Sequence, residues 1–380
     1  MKKTNIASIV INNFINDNRV LKEAITLSND YNVTIVAVHE DGLAEYENVD
    51  DVKIHRVKLK SRNWSKNKLI KLIKYIELTY RVAKQYKNVN ILHCNDLDAL
   101  FIGWIIKQFF NKNIYIVYDA HEYETERNRM HGLNKMIAKL LENFLIKYVD
   151  KTLTVSNAIA DEYVKIYNIQ KPELVLNCPE YIEVSKKDIF RKTFNIADDS
   201  IIFLYQGSLG PNRGVEVILE VFKKFKDNNK VIIFMGYGPL VELIEKEAQH
   251  SKNIYYHNAV DRTVLIDYTA SADFGISLIE NSCLSHYYCL PNKMFEYIMA
   301  EIPVIVSNLP EMAKIVKENN IGYVAENDTL EALSKVINTI NFKDINIFKA
   351  NLKKIKSIYN WKEQEKNLLH VYHSLGSKND

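Results

Sequence analysis

Two periods of hydrophobic and polar residues alternate along the whole chain. Val- and Ile-rich runs, continuous or apolar at every second position, give way to segments whose apolar residues recur every three or four positions. NIASIVI, NVTIVAVH, VKIHRVKL, NILHCN, NIYIVYDAH and KTLTVS read as strands. Between them RVLKEAITLSND, residues 66–86, residues 97–110 and NAIADEYVKIY read as helices. Around VLNCPEYIEVSKKD the periodicity stops. It then restarts with the strands SIIFLYQGSLG, KVIIFMGYGP, NIYYHNAV, FGISLIE, PVIVSN and GYVAEND, and WKEQEKNLLHVYHSL is a final amphipathic helix. Strands alternating with helices predict doubly wound parallel sheets. The expectation is therefore an α/β chain of two Rossmann-like domains, residues 1–180 and 181–360, with a terminal segment 361–380. A ligand then belongs in a cleft at the carboxyl ends of the strands.

Composition narrows the classes. The 380 residues are 47% hydrophobic and 26% charged, enough for two cores, and the net charge of +3 argues against a nucleic-acid partner. Four cysteines (Cys94, Cys178, Cys283, Cys289) without CxxC spacing fit a reducing cytoplasm and give no zinc signal. No apolar run reaches the ~18 residues of a membrane span, and Asn12 and Asn13 interrupt the N-terminal apolar stretch, so a protein that is soluble or peripheral is expected. The charge is nevertheless uneven. Residues 52–87 hold twelve Lys or Arg and one acid, Glu77, a local net of +11. Leu69, Leu72, Ile73 and Ile76 fall at helical spacing there, with Trp64 ahead of them. Such a basic amphipathic segment suits an anionic membrane surface, the alternative being the solvated face of a core helix.

Several short stretches carry candidate chemistry. LPNKMFEYIMAEIPVI places Asn292, Lys293 and Glu296 in the first turn of a helix beside a strand. Helix N-termini attract anions, Lys293 adds a full charge, and a carboxylate one turn on suits a pair of sugar hydroxyls. YQGSLGPNRGVEVILEVF sets a Gly-rich turn (Gly207, Gly210, Gly214) between strand and helix, with Arg213 positioned to meet a diphosphate. It is not the GxGxxG fingerprint, and GYGP repeats the style more weakly. In VYDAHEYE, His121 follows a strand and could hydrogen-bond a substrate, relay a proton or serve as a structural histidine. Asp96 and Asp98 have DxD spacing, but at a helix start where capping by Asp96 is the better reading. Asp17, Asn18 and Arg19 begin another helix and are expected to face the same cleft.

Taken together, NDNRVLKEAITL, DAHEYETE, LTVSNAIADEY, GSLGPNRGVEVILEVF, GYGP, LPNKMFEYIMAEIPVIVS and the terminal W…L…Y helix resemble the retaining GT-B glycosyltransferases of glycosyltransferase family 4. The resemblance covers nearly the whole length. It implies two Rossmann-like domains facing a cleft, an N-terminal acceptor domain, a C-terminal donor domain and a last helix crossing back to the first. It implies that Glu296 binds the donor ribose, that Arg213 and Lys293 bind its diphosphate, and that His121 faces the sugar. Gly207, Ser208, Glu280 and Asn292 complete the expected donor site. The implied reaction moves a hexose-type sugar from a UDP- or GDP-sugar to an acceptor hydroxyl with retention and no metal. The expected acceptor is a lipid-linked or other saccharide of bacterial surface polysaccharide synthesis, met at the inner face of the cytoplasmic membrane. Two positions depart from the family. A second carboxylate common eight residues before the ribose-binding Glu is Tyr288 here, for which Glu280 could stand in, and the basic residue often found after the first Gly of the turn is Ser208. A non-hydrolysing sugar-nucleotide epimerase and a non-catalytic nucleotide-sugar-binding subunit are the competing readings.

Overall fold

The computed structural model describes residues 3–15, 17–65, 67–128, 130–225 and 229–376. The chain divides into two compact units, residues 1–175 with 365–380, and residues 176–364. In the first unit the strands are β1 (Asn5–Ile9), β2 (Asn32–Val38), β3 (Tyr46–Val49), β4 (Val52–Val57), β5 (Ile91–Asn95), β6 (Tyr115–Ala120), β7 (Lys151–Thr154) and β8 (Glu173–Leu174). They form one sheet in the order β3-β4-β2-β1-β5-β6-β7-β8. All neighbours are parallel except β3, which pairs antiparallel with β4 across a two-residue Asp50–Asp51 turn. Asp50 takes the left-handed conformation that such a turn requires (φ 50°). The wholly parallel sheet expected from the sequence is thus blunted at one edge.

Strand order decides which helices share a face. The helix Asn18–Ser28 carries the chain from β1 to β2, one way across the sheet. Helices Lys68–Tyr86, Asp96–Phe109 and Gly132–Leu145 carry it the other way, into β5, β6 and β7 in turn. Right-handed crossovers therefore place these three in one layer, opposite Asn18–Ser28. Ring contacts join them: Tyr75 meets Phe101 at 6.0 Å and Trp104 meets Phe144 at 5.3 Å.

The second unit is a six-stranded parallel sheet, β9 (Ile201–Ser208), β10 (Lys230–Tyr237), β11 (Ile254–Asn258), β12 (Phe274–Ser277), β13 (Val304–Ser307) and β14 (Gly322–Ala325), in the order β11-β10-β9-β12-β13-β14. Fully buried Phe203, Phe222, Phe234, Phe274 and Tyr297 fill its core. Tyr297 fixes the helix Asn292–Met299 to the sheet. Its hydroxyl accepts from the Gln206 N–H (3.1 Å) and lies 3.2 Å from the carbonyls of Leu204 and Ile276. Gly275 makes room for that ring, since a Cβ there would sit 2.3 Å from it.

Candidate functional site

Anchoring that helix sets out a half-site in the second unit. Its N-cap is Pro291, which offers no side-chain hydrogen bond, so the first turn keeps its N–H dipoles uncapped. Lys293 on this turn is buried, and its Nζ has no hydrogen-bond acceptor. Instead the ammonium lies 3.5 Å from the centre of the Tyr205 ring, a cation–π contact. Burial first, then the nearby Arg213 guanidinium, push the lysine well below its usual pKa, and Glu296 opposes them only in part. Arg213 is half-buried in the turn after β9. Gly207 (φ 104°) lets that turn pass Lys293, and Gly214 (φ 68°) leaves no space for a Cβ, which would lie 2.5 Å from Leu278 Cβ. Two cations thus converge on one helix N-terminus. The arrangement suits a polyanion.

Glu296 accepts from Gln206 Nε2, and Gln206 is itself oriented by Thr269 Oγ1, which donates to its Oε1 at 2.9 Å. Ser208 and Asn292 are exposed at the same end of the sheet. Glu280 is tied to the Gly-rich turn by its own N–H, which donates to Asn212 O at 3.2 Å. Its carboxyl is raised by burial, while the Gly214 N–H lowers it. Tyr288, half-buried, follows a short helix Leu284–Tyr287 and packs on Tyr287 at 5.0 Å. Gln206 and Tyr205, which open the Gly-rich stretch but were given no role there, are the residues that contact the two charged groups.

In the first unit His121 follows β6, mostly buried. Its Nε2 lies 3.1 Å from Asp119 Oδ2 and 3.1 Å from Asn95 Oδ1. Asn95 cannot turn over, because its amide nitrogen donates to the Ile9 carbonyl and to Ser8 Oγ, both at 3.0 Å. Both neighbours of Nε2 are therefore acceptors, so Nε2 carries the hydrogen and a neutral ring presents Nδ1 as an acceptor. Asp119 is fully buried, which raises its pKa, yet Arg19, then His121 and His93, hold it far below the usual carboxylate range.

Two expectations for this unit need correction. Arg19 does not present its charge at a ligand surface. It is buried, its Nη2 lies 3.0 Å from Asp119 Oδ1, Nη1 donates to Val175 O at 2.7 Å, and Nε meets Glu23 at 3.1 Å. A guanidinium so desolvated is held by its carboxylates. Asp96 does not cap its helix either: Asn95 is the N-cap, without a side-chain bond, and Asp96 is the first helical residue at φ 67°. Its carboxylate lies 3.5 Å from Arg127. Asp17 does act as a cap, accepting from Val20 N, and Asn18 is exposed beside it. Among the described residues, Glu23, His93 and Asp119 bring possible metal-ligand atoms within 4.8 Å of one another. Arg19 already supplies the cation there, with direct contacts to both carboxylates.

Comparison with known proteins agrees with this division. Residues 21–178 match the family model described as Glycosyltransferase Family 4, and residues 186–345 match Glycosyl transferases group 1. An uncharacterized glycosyltransferase of Methanocaldococcus jannaschii is 22% identical over 90% of each chain. The UDP-Gal:alpha-D-GlcNAc-diphosphoundecaprenol alpha-1,3-galactosyltransferase of Escherichia coli is 22% identical over 87% of this chain and 86% of its own. Among solved structures, sucrose-phosphate synthase from Thermosynechococcus elongatus superimposes with a TM-score of 0.81 at 15% identity, covering 99% of this chain and 100% of that one. The Anabaena HepE protein in complex with UDP-glucose gives 0.74 at 12% identity, over 97% and 99%. The two parallel-sheet α/β units have the GT-B fold.

Proposed function

We propose that this chain, a glycosyltransferase of the family 4 and group 1 type, moves a hexose-type sugar from a UDP- or GDP-sugar to an acceptor hydroxyl with retention of configuration. The observation that carries the reading is Lys293: a buried ammonium without an acceptor, beside Arg213, at an uncapped helix N-terminus. A donor diphosphate supplies the missing counter-charge. As the glycosidic bond breaks, charge grows on the leaving diphosphate, and preorganised cations stabilise that growth more than the ground state. In this reading the two side chains and the helix dipole neutralise the leaving group without a metal. Glu296, oriented by Gln206, accepts from the ribose hydroxyls, with Gly207, Ser208, Asn292 and Glu280 around the donor. His121 takes a sugar hydroxyl at Nδ1, the ring nitrogen its buried partners leave as the acceptor.

For the acceptor we propose a lipid-linked saccharide of bacterial surface polysaccharide synthesis, with residues 52–87 on the anionic inner face of the cytoplasmic membrane. The name of the Escherichia coli relative, which specifies a diphosphoundecaprenol acceptor, supports this. So does the surface of the first unit. Helix Lys68–Tyr86 turns Leu69, Leu72, Ile73, Ile76 and Tyr80 outward, all exposed. Helix Gly132–Leu145, in the same layer, exposes Leu133, Met136, Ile137, Leu140 and Phe144 at the same spacing. No helix among the described residues is long and apolar enough to cross a membrane, so such stripes suit binding in the plane of a bilayer surface.

The test is a thermal-shift panel of UDP-, GDP- and ADP-sugars on the wild type and on Lys293→Met. A nucleoside diphosphate sugar should raise the melting temperature of the wild type far more than that of the variant. Equal shifts in both proteins, or none with any donor, would remove the reading.

A further inference from the structure

We propose that Tyr372 and His93 form a buried polar relay that fixes the imidazole of His121, so that the last helix serves the reaction through its hydrogen bond to His93 and the charge on Asp119, and not through contact with substrate. The inference rests on the role given above to His121. Tyr372, in the helix Trp361–Gly376, is buried, and its hydroxyl lies 2.5 Å from His93 Nδ1. The two rings stack with centroids 6.2 Å apart. Burial raises the phenol far above its usual pKa, with Glu23 and Asp119 adding to the shift, so it remains a donor. In the relay its hydrogen points at Nδ1, and Nε2 of His93 is the protonated nitrogen.

That nitrogen makes no hydrogen bond, but it faces two carboxylates at electrostatic range, Glu23 at 3.4 Å and Asp119 at 3.7 Å. Glu23 is pushed well above the usual range, chiefly by burial, whereas Asp119 stays ionised beside Arg19. Asp119 thus receives hydrogens from Arg19 on one side and His121 on the other, with the His93 N–H directed toward the same oxygen that His121 uses, Oδ2. If Tyr372 lost its hydroxyl, His93 could adopt the other tautomer and turn a lone pair toward Asp119. The carboxylate would then shift to relieve the repulsion, and the hold on His121 Nε2 would loosen.

Tyr372→Phe removes one oxygen and keeps the ring. Selective ¹⁵N-histidine labelling, with His121→Gln to assign the peak, should report His121 as the Nε2–H tautomer in the wild type. In Tyr372→Phe it should become a mixture. On the donor chosen by the panel above, kcat should fall about three- to tenfold, as for loss of one neutral hydrogen bond, with nucleotide affinity nearly unchanged and the melting temperature lowered by a few degrees as His93 Nδ1 loses its partner. In a His121→Ala background the second substitution should cost nothing further, because non-additivity marks residues that act as a unit. His93→Gln should repeat the pattern if the Phe variant folds poorly. An unaltered His121 spectrum in Tyr372→Phe, or an equal loss of kcat in both backgrounds, would overturn the relay. Full turnover by His121→Ala would instead sink the role given to His121, while the spectra still decide the relay.

Discussion

Lys293 is an amine in a place that penalises its charged form. Burial and Arg213 lower its pKa in the free protein, and an anion bound against it removes the penalty, so its bound-state pKa must rise. Diphosphate binding should therefore take up protons, and affinity for UDP should weaken as pH climbs through the free-state pKa of the lysine. Calorimetry in two buffers of different ionisation enthalpy reads the uptake directly. Zero uptake from neutral to alkaline pH, or the same uptake in Lys293→Met, would contradict the placement. Glu296 makes a second residue-scale claim. Its carboxylate is oriented by Gln206 but lies outside the core, so Glu296→Gln should weaken nucleotide binding tenfold or more, about 1.5–3 kcal/mol for a charged hydrogen bond. The melting temperature should barely move, and unchanged affinity would mean the ribose is held elsewhere. The placing of Lys293 and Glu296 in one helix turn was legible because a helix start, a charge and a carboxylate one turn on form a local pattern. Arg19 was misread for the complementary reason: its partner Asp119 is a hundred positions away, and no local pattern tells a buried guanidinium from an exposed one.

At the scale of elements, spacing located the helices it singled out, but it passed over Gly132–Leu145. Periodicity shows that a helix has an apolar side, and it is natural to turn that side inward. Gly132–Leu145 does the reverse. It buries Glu142, whose carboxylate receives the hydroxyls of Tyr118, Tyr163 and Tyr167 at 2.7, 2.6 and 2.5 Å, beside Ala138 and Leu145, and leaves Leu133, Met136, Ile137 and Leu140 outside. A charged residue satisfied by three distant tyrosines cannot be recognised from its neighbours in sequence. The basic segment is also tempered by structure. Arg56, Lys58 and Arg62 pair with Glu47, Glu45 and Glu40, acids that lie outside residues 52–87. Glu77, the one acid inside, braces the loop before the helix, accepting from Lys60 N, Ser61 N and Ser61 Oγ. Lys74 is engaged too, donating to the carbonyls of Arg62 and Trp64, and Lys66 lies outside the described residues. On the helix itself exposed Lys68, Lys71 and Lys84 remain. Changing these three to Gln should reduce co-sedimentation with anionic vesicles at low salt, each residue near the surface contributing ~1 kcal/mol. Changing Leu133, Met136 and Leu140 to Gln should reduce the salt-resistant part. If the wild type stays in the supernatant with anionic vesicles at low salt, the membrane reading fails.

For the molecule as a whole, the repeated strand–helix alternation was enough to expect two doubly wound sheets, because each period is enforced along its full length by burial. The antiparallel β3 escaped, although its Asp-Asp turn is a hairpin signal. The chain closes its first unit with its own last helix, Tyr372 reaching β5 across 279 positions, and such a contact is invisible to any window of sequence. The two outward stripes have one more consequence. Ten large side chains exposed on a single layer meet only water in lipid-free buffer, and water is a poor companion for them. In lipid-free buffer the protein should behave as a sticky colloid: its apparent mass by light scattering should grow with concentration, persist in high salt, and collapse to that of one chain when a mild detergent is added.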